Sequence, residues 1–298
     1  MKEIITIVFR LTVTCLLAAT VMGLCFILTS NAKKYNEHAK EQKVMYELLG
    51  YKGDVKVPDS VAIHEVYRYV ISGNDKQSIG YLLPQGHGEH EGFLFVNIDL
   101  NGKMIESKPV ELSEADSFEA ESRDAAVQNT VGAAFSIRFA DRIIVVTDDG
   151  TRIAYLIGGK FQGFKTFVNV MLAVDPDFTM VGFEVLEHEE DPGLGAEIEQ
   201  DYFKNQFKGK PFEAIKSIDV VKAPIPSDYL AALNGKVSEE EVLAFREKYK
   251  SRAIYALTGA TISTRAVANG VKGIVTKFAY RINVLDKVLQ EQQLAVSF

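Results

Sequence analysis

The chain has 298 residues, of which 47% are hydrophobic and 24% charged, enough for one large globular domain or two smaller ones. Its net charge of −7 and its lack of a basic block argue against nucleic acid as a partner. Both cysteines, Cys15 and Cys25, lie in an apolar N-terminal run, so we expect no disulfide, thiolate metal site or iron–sulfur cluster in the remainder. Any redox chemistry must therefore be carried by a bound cofactor.

Residues 4–28 are uncharged apart from Arg10 and are long enough to cross a bilayer as a helix. A cleaved signal peptide is the alternative, with the Ser-Asn-Ala at 30–32 as its cleavage site. We favour a transmembrane anchor over residues 1–31, because the run exceeds a typical signal-peptide core and basic residues flank it.

Residues 32–50 predict a polar helical stalk ending at Gly50, and residues 51–150 predict a β-rich region. Turn residues separate several strand-like segments, which indicates a β meander followed by a helix and one more strand. The strand-like segments are Val66–Ile71, Ile79–Leu83, Gly92–Ile98 and Arg142–Thr147, and the helical segment is 113–139. His87 and His90 lie in a Gly-rich turn with no third metal ligand nearby in the sequence, so we interpret them as a solvated hairpin.

Residues 151–298 carry the motifs that point to function. In the first, Asp191 to Gly195, proline presets φ and two glycines let the loop double back, so that Leu194 can lie against a planar ring. An ordinary Pro-Gly surface turn is the alternative. The pattern at 238–249 predicts a helix with a capping box, and the apolar spacing of 265–289 predicts a core helix.

The second motif is the Thr-Gly-Ala-Thr of residues 258–261, just before this last helix. Gly259 can adopt positive φ, Ala260 adds no bulk, and Ser263 and Thr264 are natural N-caps, which predicts a tight turn leading into a helix. Free N–H groups at such an end bind phosphate, and the Thr261 hydroxyl could be esterified there.

Thr258 to Thr261 resembles the flavinylation motif of the FMN-binding subunits of membrane-anchored electron-transport complexes, and residues 188–198 resemble their H-x-E-T-P-G-L-G segment. Members of this family include the G subunit of the Rnf complex and the C subunit of the sodium-pumping NADH:quinone oxidoreductase. The resemblance implies FMN joined to Thr261 through a phosphoester, in an α+β domain. The cofactor-binding residues would be Thr258, Gly259, Ala260, Thr261, Ser263, Thr264, Gly193, Leu194, Gly195 and Lys222.

Lys222 lies in a segment that resembles the family's strand whose lysine points at the flavin, where a cation would stabilise the anionic reduced ring. A solvated lysine at a strand end is the alternative. Two of the departures from the family pattern bear on the flavin and its attachment. Asp191 replaces the usual Thr, which adds a negative charge near the ring, and Tyr255 stands where the flavin transferase usually finds an Asp.

A similar order of residues occurs twice in the chain. Ser78 to Leu82 resembles Arg152 to Leu156, and Phe95 to Ile98 resembles Phe167 to Val170. Either a diverged duplication or coincidence between strand-rich segments accounts for this. In a duplication, only the second copy, within 151–298, would carry flavin.

The family implies a subunit without a substrate of its own, which relays electrons between ferredoxin and NAD in an Rnf-type translocase coupled to sodium or proton movement. Its partners would be the other subunits and a transferase that attaches the flavin from FAD. The family places the domain on the extracytoplasmic side, whereas the lysines after the span favour the cytoplasm; we follow the family. The quinone-reductase subunit and an unflavinylated membrane-anchored scaffold remain the alternatives.

Overall fold

The computed structural model describes residues 2–53, 55–73, 76–86 and 92–298. It divides into two compact units, residues 1–47 and residues 48–298. The hairpin predicted for His87 and His90 lies outside the described residues.

The first unit is helical. Helix α1 runs without a break over Lys2–Leu48, so no change in backbone marks the predicted boundary between anchor and stalk. Its segment Glu3–Phe26 is long and apolar enough to cross a membrane, and its side chains are exposed. Thr12 and Thr14 each donate their hydroxyl to the carbonyl four residues earlier, which satisfies these polar groups within the helix.

The second unit is built on a sheet. Within the described residues, eight strands form one antiparallel sheet in the order β4-β3-β2-β1-β5-β6-β7-β8. The strands are β1 (Val61–Gly73), β2 (Lys76–Gln85), β3 (Gly92–Asp99), β4 (Met104–Val110), β5 (Ser136–Asp148), β6 (Thr151–Gln162), β7 (Phe167–Val174) and β8 (Met180–Glu187). Together with the helices they confirm the predicted α+β class.

Strands β1 and β5 pair in the middle of the sheet, and three further strands follow outward on each side. The segments that resemble each other in sequence, β2 with β6 and β3 with β7, occupy corresponding places in this order. The boundary predicted at residue 150 falls in the β5–β6 turn, so strands from both predicted regions share one sheet. The duplication itself stays a prediction.

A short helix α2 (Glu114–Phe118) and helix α3 (Ala120–Val131) occupy the segment predicted as one helix over 113–139. That prediction is wrong at its C-terminal end, because Gly132 adopts a φ of 93° and ends α3, and β5 already begins at Ser136. β1 likewise begins five residues before the predicted strand, at Val61 rather than Val66.

The last helix, α8 (Thr261–Glu291), buries its apolar stripe against the sheet, as predicted. Two glycines allow an especially close approach to β6. A Cβ added at Gly159 would lie 2.2 Å from Ile274 Cδ1, and one at Gly270 would lie 2.2 Å from the Phe161 ring. The N-terminal half of α8 is thereby fixed on β6.

The chain between β8 and α8 forms short elements beside the sheet. They are a 3₁₀ turn (Gly195–Glu199), α4 (Asp201–Lys204), α5 (Phe212–Lys216), β9 (Val220–Val221), α6 (Ser227–Leu233), α7 (Glu239–Tyr249) and β10 (Ile254–Tyr255). The predicted capping box at Ser238 and Glu241 is confirmed at the start of α7. β9 and β10 pair in parallel, and β10 leads directly into the Thr-Gly-Ala-Thr turn.

Candidate functional site

The Thr-Gly-Ala-Thr segment forms the predicted tight turn. The Leu257 carbonyl accepts a hydrogen bond from the Ala260 N–H at 3.1 Å, and Gly259 has a φ of 76°. Only glycine adopts such a φ without strain, so the motif's glycine is required by the backbone.

Helix α8 begins at Thr261 with Ala260 as its N-cap residue, so the prediction that Ser263 and Thr264 are N-caps is wrong. The Thr264 hydroxyl accepts from the Leu257 N–H and donates to the Ala260 carbonyl, both at 3.0 Å. These two hydrogen bonds stabilise the turn, and they allow α8 to begin before the predicted N-cap residues. The buried Thr264 side chain is therefore structural.

The start of α8 leaves donors free. Among the described residues, the N–H groups of Thr261, Ile262 and Ser263 have no hydrogen-bond acceptor, and the half-buried Thr261 hydroxyl has no partner. Thr258 and Gly259 are exposed beside them. Three unpaired N–H groups at the positive end of a 31-residue helix suit an anion such as phosphate.

The Pro-Gly loop lies against this turn. Gly193 has a φ of 71°, and Leu194 remains 46% exposed. A Cβ added at Gly259 would come 2.9 Å from Leu194 Cδ2, and one added at Gly195 would come 2.8 Å from Ser263 Oγ. The two sequence motifs, more than sixty residues apart, thus form one surface, and their glycines permit the contact.

Glu190, to which the sequence assigns no role, lies beneath this surface and is 5% exposed. Its carboxylate accepts the Ser263 hydroxyl and the backbone N–H groups of Phe164, at 2.7 Å, and Lys165, at 3.1 Å. The Ser263 hydroxyl is therefore engaged by protein, and its N–H is the group left to face a ligand. The sequence signal that could have identified Glu190 is its match to the Glu of the H-x-E-T-P-G-L-G segment.

The side chain of His188 is engaged by neighbouring protein groups on both ring nitrogens. Its Nδ1 accepts the Glu190 N–H at 3.0 Å, so the proton resides on Nε2, which lies 3.0 Å from a Glu199 oxygen. Asp191 forms an ion pair with Lys165, and this carboxylate raises the pKa of the Lys165 ammonium. The negative charge that Asp191 adds to the family pattern is thus balanced by a cation from the β6–β7 turn.

Lys222 follows β9, whose partner strand β10 leads into the turn, and the Ala256 N–H donates to the Val221 carbonyl at 2.9 Å. Lys222 is exposed and makes no hydrogen bond or ion pair with residues that the structure describes. Its predicted approach to the flavin therefore stays a prediction.

Tyr255 is fixed by its backbone and its ring. The buried Gln206 amide accepts the Tyr255 N–H at 2.8 Å and donates to its carbonyl at 3.3 Å. The ring lies 6.3 Å from that of Tyr229 and 6.5 Å from that of Tyr249, which stack on each other at 3.9 Å. The residue that replaces the family's Asp is thus part of an aromatic cluster with α6 and α7.

Lys210 is a structural anchor that the sequence patterns did not indicate. Its buried ammonium donates to the carbonyls of Tyr249 at 3.1 Å, Lys250 at 3.3 Å and Arg252 at 2.6 Å, at the C-terminal end of α7. Burial lowers the pKa of Lys210 to about 8. This lysine holds the segment that leads into β10 and the turn.

The candidate site lies in a part of the chain that is similar to known proteins. Residues 163–276 match the family model of the FMN-binding domain. The chain is 30% identical over 123 residues to the G subunit of the proton-translocating ferredoxin:NAD(+) oxidoreductase complex of Clostridium ljungdahlii, covering 41% of this chain and 52% of that protein. It is 27% identical over 131 residues to the G subunit of the ion-translocating oxidoreductase complex of Methanosarcina acetivorans, covering 44% of this chain and 54% of that protein. The chain thus spans about half the length of these curated relatives.

Among solved structures, NqrC of Shewanella oneidensis aligns with a TM-score of 0.41 and 17% identity over 78% of this chain and 89% of that chain. The C subunit of the Na(+)-translocating NADH-quinone reductase of Parabacteroides distasonis aligns with a TM-score of 0.34 and 22% identity over 66% of this chain and 77% of that chain. The loop at Gly193, the turn at Gly259 and the start of α8 all lie inside the segment matched by the family model. The segment of the chain that contains this site, residues 163–276, is therefore similar to an FMN-binding domain, and the sequence relatives reported above are G subunits of ion-translocating oxidoreductase complexes.

Proposed function

We propose that this chain is the membrane-anchored electron-carrier subunit of an Rnf-type complex, with FMN joined to Thr261 through a phosphoester. The observation that carries the proposal is the Thr261 hydroxyl, which has no partner among the described residues and lies at a helix start with three free N–H groups. When bound, FMN supplies reversible uptake and release of electrons.

The residues present fit the phosphate of this cofactor. The N–H groups of Thr261, Ile262 and Ser263 would neutralise the phosphate charge, and the positive end of the α8 dipole would add to their effect. The positive φ of Gly259 and the small Ala260 keep side chains away from this position. The exposed Thr258 hydroxyl is one further donor within reach of the turn.

The Pro-Gly loop fits the ring. Leu194 presents an exposed apolar side chain beside the turn, and Gly193 and Gly195 allow the loop to approach it. Phe164 and Ile262 are also exposed, at 54% and 61%. Such exposed apolar side chains around one polar anchor are what a planar aromatic ligand would cover. Lys222 is proposed to stabilise the negative charge of the reduced ring.

Attachment would require a separate transferase that uses FAD. The Thr261 oxygen would form the new bond to the FMN phosphorus, the pyrophosphate bond of FAD would break, AMP would leave, and the hydroxyl proton would pass to solvent. Within the complex, electrons would move between ferredoxin and NAD, coupled to sodium or proton movement. Residues 4–28 would anchor the subunit in the inner membrane with the FMN domain on the extracytoplasmic side.

Two alternatives are distinguished from this proposal by experiment. The C subunit of a sodium-pumping quinone reductase belongs to the same family by resemblance, and the partner subunits that co-purify would distinguish it. An unflavinylated scaffold is favoured by Tyr255, because the Asp usually recognised by the transferase is replaced by a ring packed on α6 and α7.

The test is to co-express the full chain with a flavin transferase and to measure its intact mass and its fluorescence on a denaturing gel. We expect a fluorescent band heavier by one FMN in the wild type and in Thr258→Ser, which keeps the motif's first hydroxyl. Thr261→Ala should lose both signals. An unmodified wild type would overturn the proposal and favour the scaffold.

A further inference from the structure

Three segments of the FMN-binding domain meet at one buried carboxylate. Glu190 receives two N–H groups from the β6–β7 turn, residues 163–166, and the Ser263 hydroxyl from the first turn of α8. Glu190 itself belongs to the loop that carries Leu194. A single side chain therefore connects the turn that presents Phe164, the loop that presents Leu194 and the helix start that presents Thr261.

The chain is shaped around this carboxylate on two sides. A Cβ added at Gly163 would lie 2.5 Å from Glu190 Oε1, and one added at Gly195 would lie 2.6 Å from Oε2. Neither Phe164 nor Lys165 has another acceptor for its N–H among the described residues. Loss of the carboxylate would thus leave donors unpaired that no neighbouring group replaces.

Charge-assisted hydrogen bonds of this kind are short and strong, and they order backbone more firmly than neutral ones. Ser263 lies two residues after Thr261, in the same helical turn. Fixing Ser263 therefore fixes the direction in which the Thr261 hydroxyl and the neighbouring N–H groups point.

We infer that Glu190 is a positioning residue, which holds the β6–β7 turn and the first turn of α8 in a fixed relation around the flavin. Its buried negative charge also opposes negative charge on the reduced ring. The hydrogen bonds that Glu190 accepts from the β6–β7 turn and from Ser263, which we call the Glu190 clamp, form in the protein without the cofactor. Only the effect of this clamp on flavin rests on the proposed function.

The clamp is tested without flavin, by amide hydrogen exchange in the full-length protein in detergent. Glu190→Ala should speed exchange at Phe164 and Lys165 by roughly tenfold or more, the effect of losing a charge-assisted hydrogen bond. Glu190→Gln should restore slow exchange, since its amide oxygen can accept both N–H groups while its amide nitrogen donates to Ser263 Oγ. Glu189→Gln removes the adjacent, exposed charge and should leave both amides unchanged. Equal exchange in Glu190→Ala and wild type would overturn the clamp.

The effect on flavin is tested with the loaded protein. Fluorescence anisotropy should fall in Glu190→Ala and be retained in Glu190→Gln, whereas the midpoint potential should rise in Glu190→Gln but not in Glu189→Gln. Unchanged anisotropy and potential in both Glu190 variants would overturn the positioning role. A wild type without FMN by mass would refute the proposed function, and the exchange data would still decide whether Glu190 clamps the three segments.

Discussion

Gly259 offers a sharp test of how the turn and the Pro-Gly loop cooperate. Gly259→Ala places a side chain on a residue with a φ of 76°, and the new Cβ would lie 2.9 Å from Leu194 Cδ2. The backbone conformation alone costs about 1 to 2 kcal/mol for an alanine. Because Leu194 is half-exposed and flexible, it can move aside at little further cost.

Gly235 is the matched control. It has a φ of 66°, and an added Cβ would meet nothing within 4 Å, so Gly235→Ala carries the backbone cost without the contact. We therefore expect both variants to lose about 1 to 2 kcal/mol of unfolding free energy. Only Gly259→Ala should displace Leu194 and reduce flavin incorporation.

The assay combines denaturant unfolding of the full chain in detergent with the fraction of protein carrying FMN by intact mass. The double variant Gly259→Ala/Leu194→Ala removes the clash, but it should still lose the unfolding free energy that the positive φ costs an alanine. Equal flavin incorporation in Gly259→Ala and Gly235→Ala would refute the argument that the Gly259–Leu194 contact shapes the site.

Three further predictions concern charges and rings around the site. Burial lowers the pKa of Lys210 from 10.5 to about 8, so the unfolded chain holds this proton more tightly than the folded protein does. The free energy of unfolding should therefore increase by up to about 3 kcal/mol as the pH is raised from about 8 to 10.5. Lys210→Met should lose this increase when denaturant unfolding is measured at several pH values. If the free energy of unfolding of the variant still rises with pH as in the wild type, Lys210 is not the group responsible. Asp191→Thr leaves the Lys165 cation unpaired and should raise the flavin midpoint potential in a redox titration, whereas an unchanged or lower potential would contradict this reasoning. Tyr255→Asp places a carboxylate among aromatic rings and should lower the free energy of unfolding by about 1 to 3 kcal/mol, measured by thermal unfolding. Tyr255→Phe should match the wild type. Equal losses of stability in the two variants would contradict the packing of the ring.

Local patterns predicted the local structure well. The helical stripe of α8, the capping box at Ser238 and the glycine turn at 259 each depend on residues within a few positions of one another, and all three are confirmed. The N-cap at Ser263 was predicted wrongly because two competing hydroxyls were available. Both hydroxyls are engaged elsewhere, Thr264 by the turn and Ser263 by a carboxylate 73 residues earlier.

Contacts between distant segments were beyond the sequence patterns. The burial of Glu190 depends on three segments meeting, and an acidic residue among acidic neighbours gives no local sign of this. The pairing of Asp191 with Lys165 is hidden in the same way, since the partners lie 26 positions apart on different turns. The end of α3 was missed because Gly132 was interpreted as part of a helix rather than as its stop.

The most direct test of the account is tandem mass spectrometry of a single tryptic peptide from protein co-expressed with a flavin transferase. Cleavage after Arg252 and Arg265 releases residues 253–265, which contain Thr258, Thr261, Ser263 and Thr264 together. The account predicts one FMN on this peptide, with the added mass on every fragment that contains Thr261. An unmodified peptide, or FMN located on one of the other four hydroxyls of the peptide, that of Tyr255 included, would contradict it.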